Sequence, residues 1–206
     1  MALVPVDICN IALVSHLGQD QIISLSDGTK AADLCSTMYP IVRDEMIRSH
    51  PWRRLKKRAT LAADATAPVW GFNYRYAVPT DMLKLLDVWK DDVIYTDRWE
   101  MEGDYILMDD TGPIQIRYMK DSNDPDEWDS LMVQCFAARL GVALAEPLTQ
   151  SQEKIGRAVS IFQELEARAQ HESSQEGQPT AYGQPDGWDL IRYGGASDDV
   201  LSRGIS

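Results

Sequence analysis

The 206-residue chain predicts an α+β fold, in which four main helices pack with an antiparallel β-meander. Two observations predict this fold class. Near both ends of the chain, apolar residues recur every three or four positions, which is typical of amphipathic helices. Between about 73 and 119 the period falls to two, which is typical of strands. We therefore expect a folded domain over 1–172, built from two N-terminal and two C-terminal helices around the strands.

The first helix is predicted over about 5–17. Pro5 suits its first turn, because the N–H that proline lacks would have no partner there. Asp7 carries a negative charge near the positive end of the helix dipole. Gly18 is a typical residue for the position just after a helix.

The second helix is predicted over about 28–49, with Ser26 or Asp27 as its N-cap. Pro40 lies inside this range, so we expect a kink there. The helix should stop at His50, because the following proline disfavours helical backbone at the residue before it.

The central region predicts an antiparallel meander of four to six strands. Glu102-Gly103-Asp104 separates two of the runs and is typical of a hairpin turn. Asp109-Asp110-Thr111-Gly112-Pro113 predicts a second turn. The strand-like runs cover 74–78, 83–89, 93–101, 105–108 and 114–119.

Two more helices are predicted after the strands. Asp124 can cap the third helix, with Pro125 in its first position and Glu127 reaching back to the cap backbone. Pro147 should end this helix. An apolar stripe with helical spacing then predicts the fourth helix over about 151–172.

The residues from 173 to 206 predict an extended C-terminal tail. This segment holds six glycines and two prolines without a sustained period, so it cannot bury a core of its own. It contains one short apolar island, which we expect to anchor a partner. The predicted anchors are Trp188, Leu190, Ile191 and Tyr193.

Positive charge is concentrated in the region 43–58. Seven basic and two acidic residues give this region a charge of +5, whereas the whole chain is −12, so the remainder sums to −17. The segment could be a solvated strand flank, a contact with an acidic neighbouring subunit, or a phosphate contact. As partner-binding residues we select Arg53, Arg54, Lys56 and Lys57.

The sequence predicts no catalytic, cofactor or metal site. The acidic run from Asp121 lacks the glycine and glutamate that a calcium-binding EF-hand loop needs. The carboxylate pairs Asp91-Asp92 and Asp109-Asp110 could serve a cell-wall glycan hydrolase, which needs two facing carboxyls. Both pairs fall at predicted turns, where aspartate is common in any case. No apolar run of 18 residues interrupts the chain, so no transmembrane helix is expected.

Several short motifs, in their order and spacing over about residues 1–170, resemble the tail tubular protein A family of bacteriophages. They are Asp7-Ile8-Cys9-Asn10-Ile11-Ala12-Leu13, Ile23-Ser24-Leu25-Ser26-Asp27-Gly28-Thr29-Lys30-Ala31-Ala32, Arg43-Asp44-Glu45, His50-Pro51-Trp52, Arg58-Ala59-Thr60-Leu61-Ala62 and Val78-Pro79-Thr80-Asp81-Met82.

This resemblance implies a structural virion protein, not an enzyme. Members of the family are ring-forming head-to-tail adaptors beneath the portal, so a dodecameric ring is expected. The portal would lie above the ring and the tail nozzle or another tail protein below it. DNA would pass through the channel without specific binding, and no membrane is involved. The location implied is the virion, after assembly in the cytoplasm of a bacterial host. An oligomeric binding module of unrelated role remains an alternative, beside the glycan hydrolase.

Overall fold

The computed structural model describes residues 3–175, and the structural statements below concern this part of the chain. Four main helices and two antiparallel sheets make it an α+β fold, which confirms the predicted class. The predicted anchors Trp188, Leu190, Ile191 and Tyr193 lie outside the described residues.

Among the described residues, two helices come first, the strands follow, and two helices come last, which is the order that the periodicities predict. The helices are α1 (Pro5–Asn10, continued by a π-helical turn over Ile11–His16), α2 (Lys30–Ser49), α3 (Ser130–Thr149) and α4 (Gln152–Gln175). The strands are β1 (Lys56–Leu61), β2 (Tyr74–Ala77), β3 (Met82–Lys90), β4 (Val93–Ile94), β5 (Trp99–Glu102), β6 (Tyr105–Met108) and β7 (Ile114–Lys120). The run predicted over 93–101 is thus divided into two strands.

The start of α2 differs from the prediction. Thr29, not Ser26 or Asp27, is the N-cap, and its side chain accepts a hydrogen bond from the backbone N–H of Ala32. Asp27 binds the capping residue: its carboxylate accepts hydrogen bonds from the N–H and the hydroxyl of Thr29 at 3.0 and 2.7 Å. Asp27 therefore orients the cap instead of being the cap. The helix then continues through Pro40 to Ser49.

The start of α3 also differs from the prediction. Asp124 caps a separate 3₁₀ turn, and Asp129 caps the helix itself by accepting from the N–H of Met132 at 2.8 Å. Glu127 does not reach back to the cap. Its carboxylate instead binds Lys120 and Ser122, which ties the 3₁₀ turn to the end of β7.

The prediction that Pro147 ends α3 is wrong, because the helix continues to Thr149. A proline in a helix removes one backbone hydrogen bond, but burial of neighbouring side chains can offset that cost. Leu144 and Ala145, just before the proline, are fully buried in the helical core. Gln150, the residue directly after the helix, adopts a left-handed conformation with φ of +50° and ends it.

All strand pairs are antiparallel, but the strands are divided between two sheets instead of following one another in a single meander. The larger sheet has the order β1-β7-β3-β4, and the smaller has the order β2-β6-β5. Strands distant in sequence therefore lie side by side, as in the pairing of Lys56–Leu61 with Ile114–Met119. The turn predicted at Gly103-Asp104 is confirmed, because it closes the hairpin between β5 and β6.

The two sheets pack face to face around a small apolar core that both supply, forming a β-sandwich. This sandwich core consists of Tyr76, Val88, Ile106, Met108, Ile114, Ile116 and Tyr118. A much larger helical core joins the four helices and reaches Met119 at the end of β7. The helices therefore cover only one end of the outer face of the larger sheet.

By length and composition alone, α3 could cross a membrane, since it has 20 residues and a mean hydropathy of 1.4 over an 18-residue window. Its surroundings are those of a core helix, because residues such as Phe136 and Leu140 are fully buried among the other helices. Arg139, which interrupts its apolar sequence, pairs with Glu45 of α2 at 2.8 Å. The apolar composition of α3 is explained by this packing.

Candidate interaction surface

Arg53, one of the four basic residues predicted to bind a partner, forms hydrogen bonds within the subunit. Its guanidinium donates to the carbonyl of Ser173 at 2.7 Å and to that of Ser174 at 3.2 Å. The last carbonyls of a helix have no helical N–H partner and carry the negative end of its dipole, so an arginine there stabilises the helix end. This contact accompanies the extension of α4 to Gln175, three residues past the predicted end.

Lys57 is also paired within the subunit. Its ammonium lies 2.7 Å from a carboxylate oxygen of Asp81, and the same carboxylate accepts a hydrogen bond from the hydroxyl of Tyr118 at 2.9 Å. The bond from Lys57 and, less strongly, that from Tyr118 hold the pKa of Asp81 below its usual range. Lys57 is therefore partly neutralised.

Arg54 and Lys56 have different surroundings. Arg54 is exposed, whereas Lys56 is half-buried. Burial lowers the pKa of Lys56, and the positive charges of Arg53 and Arg117 lower it further. Basic residues of the segment 43–58 and of β7 therefore lie close together at the end of the larger sheet where β1 begins.

Further along the larger sheet, the part of its outer face that the helices leave uncovered forms a groove of about 480 Å³. Arg58 on β1 and Arg117 on β7 are directly opposite in the strand register, so both side chains lie on the outer face. Arg117 forms an ion pair with Asp87 at 2.5 Å, whereas Arg58 is exposed. The groove is lined by Arg58, Ala59, Thr60, Trp89, Asp92, Gln115, Ile116 and Arg117.

The loop between β1 and β2 exposes apolar side chains to solvent. Val69 is 99% exposed and Trp70 is 84% exposed. Beside them, the guanidinium of Arg98 lies 4.2 Å from the ring centre of Phe72, in cation–π geometry. Two large apolar side chains exposed side by side are typical of a surface that another molecule covers.

The strands β4 and β5 expose a second apolar strip. Val93 and Ile94 on β4 are 65% and 38% exposed, and Trp99 and Met101 on β5 are 37% and 44% exposed. Both strands are edge strands, because each is last in its sheet. Glu100 and Glu102 alternate with these apolar residues on the other face of β5.

The two carboxylate pairs take part in turns. Asp91 and Asp92 form the turn between β3 and β4, with φ of +50° and +63°. Asp109 accepts a hydrogen bond from the N–H of Asn73 at 3.0 Å, and Asp110 forms an ion pair with Lys90. Each pair therefore has a structural role beside a strand end.

No group of three His, Cys, Asp or Glu side chains within residues 3–175 is placed to hold a metal ion. The thiols of Cys9, Cys35 and Cys135 are buried and unbridged, as their apolar surroundings in the sequence suggest. No protein-family model matches the chain, and no curated protein matches it in sequence.

Sequence reasoning selected four basic residues, and the structure does not keep them together on one surface. It missed the groove residues Arg117 and Trp89, which come from strands distant from the basic segment. Their alternation with apolar neighbours places them on the polar face of a strand. Only the pairing of β1, β7 and β3 brings them beside Arg58.

Proposed function

We propose that the protein is a structural subunit of a bacteriophage virion, a ring-forming head-to-tail adaptor. The ring would join the portal above to the tail nozzle or another tail protein below, and would form part of the DNA channel. The resemblance of residues 1–170 to the tail tubular protein A family supports this proposal. A dodecamer, assembled in the host cytoplasm, is the ring expected from that resemblance.

The observation that carries the proposal is that the sandwich has two unlike exposed sides. One side ends in the basic edge strand β1, whose Arg58 is exposed. The other has the strands β4 and β5, with exposed apolar residues between carboxylates. A closed ring needs such unlike patches, because each subunit meets its two neighbours through different surfaces.

The charge of the chain supports passage of DNA without tight binding. The chain is −12 overall, and Arg53, Lys57 and Arg117 have partners within the subunit. DNA carries one negative charge per roughly 1.7 Å of its axis, so a basic bore would hold it. We therefore propose an acidic or neutral channel lining. The structural use of the two carboxylate pairs favours this role over a glycan hydrolase.

Imaging of the purified protein with portal rings tests the function. We expect negative-stain images to show an added ring with the symmetry of the portal. We also expect weaker docking at 1 M salt than at 0.1 M, since the screening length falls from ~10 to ~3 Å. A portal from an unrelated phage is the control. Absence of an added ring at 0.1 M salt would overturn the proposal. Tight binding of duplex DNA by the protein alone would overturn the proposed channel lining.

A further inference from the structure

The loop between β1 and β2 borders a pocket of about 780 Å³ on the outer face of the smaller sheet. Arg75 and Glu100 are both register partners of Leu107, whose neighbour Ile106 belongs to the sandwich core. These three residues therefore lie on the outer face. Trp70 lines the same pocket and is 84% exposed, so its ring is open to another molecule.

Two other rings that line the pocket each hold a guanidinium of the same chain. The guanidinium of Arg98 lies 4.2 Å from the ring centre of Phe72. That of Arg75 lies 4.5 Å from the ring centre of Tyr105. Tryptophan attracts a cation more strongly than either of these rings, yet Trp70 holds none among the described residues. The pocket therefore offers its best cation-binding ring to another molecule.

Carboxylates in the same pocket add negative charge beside this ring. Glu100, Glu102 and Asp104 are exposed, and none of them forms an ion pair with a described residue. Of the two arginines that line the pocket, Arg75 is already paired with Asp64 at 3.4 Å. A guanidinium can stack on an aromatic ring and donate two parallel hydrogen bonds to a carboxylate. An arginine from a partner therefore suits the pocket better than an anion does.

The groove on the outer face of the larger sheet supplies such an arginine. Arg58 lines the groove, is exposed and has no ion-pair partner among the described residues, whereas Arg117 pairs with Asp87. The half-buried ring of Trp89 gives the groove an apolar wall. The inner faces of the two sheets meet in the sandwich core, so their outer faces point in opposite directions. The groove and the pocket therefore lie on opposite faces of the sandwich.

We infer that copies of this chain join through these two faces. The loop with Val69 and Trp70 of one copy enters the groove of the next. Arg58 of that next copy then stacks on the Trp70 ring and lies beside Glu100 and Glu102. The inference rests on the proposed ring, whose subunit contact it specifies. Since the two faces point in opposite directions, every copy keeps the same orientation toward its neighbour, and a constant rotation at each contact closes a ring.

A second copy of this chain accounts for three features of these surfaces. It covers Val69, which is 99% exposed, and the neighbouring Trp70, an apolar pair typical of a covered surface. It fills the groove of about 480 Å³, which stays open because the helices cover only one end of that face. It also places the unpaired arginine of one face beside the unpaired carboxylates of the other, which gives the contact complementary charge.

Removal of the exposed ring tests the contact without a change of charge. Trp70→Ala should weaken ring assembly by about tenfold or more, since tryptophan is among the commonest interface hot spots. Its melting temperature should match that of the wild type, because the ring is mostly exposed in the single chain. Ile23→Ala, at a residue that is 89% exposed between α1 and α2, is the matched control and should assemble normally. Mass photometry of each variant, alone and on portal rings, measures assembly.

Charge reversal tests which residues meet across the contact. One variant carries Arg58→Glu, and a second carries Glu100→Arg together with Glu102→Arg. Each places like charges across every contact, so we expect its assembly to be about tenfold weaker or more. A triple variant that combines all three substitutions restores opposite charges at every contact and should form rings again. Arg168→Glu, at an exposed position of α4, is the charge control and should assemble normally. Circular dichroism should show a native fold for all four variants.

The outcomes separate this contact from the function on which it rests. If wild-type rings form and Trp70→Ala or Arg58→Glu forms them equally well, the contact is wrong and the adaptor function stands. Weaker assembly of the charge variants without recovery in the triple variant would also overturn the contact, because Arg58 would then meet other residues. If the wild-type chain forms no ring, alone or on the portal, the proposed function fails together with the contact. Recovery in the triple variant supports the contact.

Discussion

The helical layer and the β-sandwich differ in how completely each buries its apolar surface. In the helical layer, Phe136 lies edge-on against Tyr39 and Trp128, with ring centres 5.0 and 5.1 Å apart, and all three are buried. The sandwich has only seven fully buried core residues, and apolar residues at its edges remain exposed.

This difference indicates that the helical layer and the sandwich have different roles, one in stability and the other in contact with partners. Buried apolar area is the main source of folding free energy, so the helical layer should supply most of the stability. The sandwich presents exposed edges and grooves, which cost stability in water but provide contact surface. Mutations in the two regions should therefore differ in their effects on folding and on assembly.

The largest expected effect is that of Phe136→Ala in the helical core. The substitution removes a fully buried ring and leaves a cavity between Tyr39 and Trp128, which should cost roughly 3–5 kcal/mol of unfolding free energy. Urea denaturation followed by circular dichroism measures the loss. Ile41→Ala on the exposed face of α2, where the side chain is 57% exposed, is the control and should change stability by about 0.5 kcal/mol or less. Equal effects at the two sites would contradict the assignment of stability to the helical core.

A smaller effect is expected from acidification, and it should arise in the helical layer. His16 lies beside Gly141 of α3, where a Cβ added to the glycine would come within 3.3 Å of the histidine side chain, and its Nε2 is buried without a partner among the described residues. Burial, and then the charge of Arg157, lower the pKa of His16 below its usual 6.5. The unfolded chain thus binds the proton more readily, so stability is fully present above pH 6.5 and is lost as the pH falls through the folded-state pKa.

Melting temperatures at pH 7.5 and 5.5 test this expectation. The wild type should melt lower at pH 5.5, and His16→Gln, which cannot be protonated, should lose less. Part of the loss should persist in the variant, because burial and then the charges of Lys56 and Lys84 also lower the pKa of His50. A wild-type melting temperature that is the same at both pH values would show that neither histidine is coupled to folding.

The smallest effects are expected at the hairpin turns of the sandwich. Asp91 has φ of +50°, which costs a residue with a side chain about 1 kcal/mol more than glycine, so Asp91→Gly should raise stability by about 0.5 kcal/mol after its entropy cost. Gly103→Ala is the reverse test, because Gly103 has φ of +56° and no atom within 4 Å of an added Cβ. It should lose about 1 kcal/mol from backbone strain alone. Urea denaturation measures both, and the same sign for the two variants would contradict this explanation.

The elements with the strongest local signals were predictable. The apolar stripe of α4 recurs at helical spacing and packs in the helical core. It consists of Ile155, Ala158, Phe162 and Leu165. The caps were less predictable, because Asp27 and Thr29 are both good capping residues and their hydrogen bonds to each other decide which one caps α2. The continuation of α3 past Pro147 also depends on packing, which has no local signal.

The candidate surface was predictable only in part. The excess of positive charge over 43–58 is visible in the sequence, but its neutralisation is not. Arg53 bonds to carbonyls 120 and 121 residues away, and Lys57 pairs with Asp81 across a strand connection. The exposed Arg58 therefore becomes the residue of interest, although the sequence offered no reason to prefer it to its neighbours.

The sequence by itself determined which segments are helical and which are extended, and hence the α+β class. Periodicity and turn residues act over a few positions, so they can be recognised without knowledge of the rest of the chain. Only the tertiary structure decided that β1 lies beside β7 and that β1 and β5 are left at open edges. Strand order depends on contacts between residues far apart in sequence, and many orders satisfy the same alternation of polar and apolar residues. Packing of the helical core and of the sandwich core selects one of those strand orders.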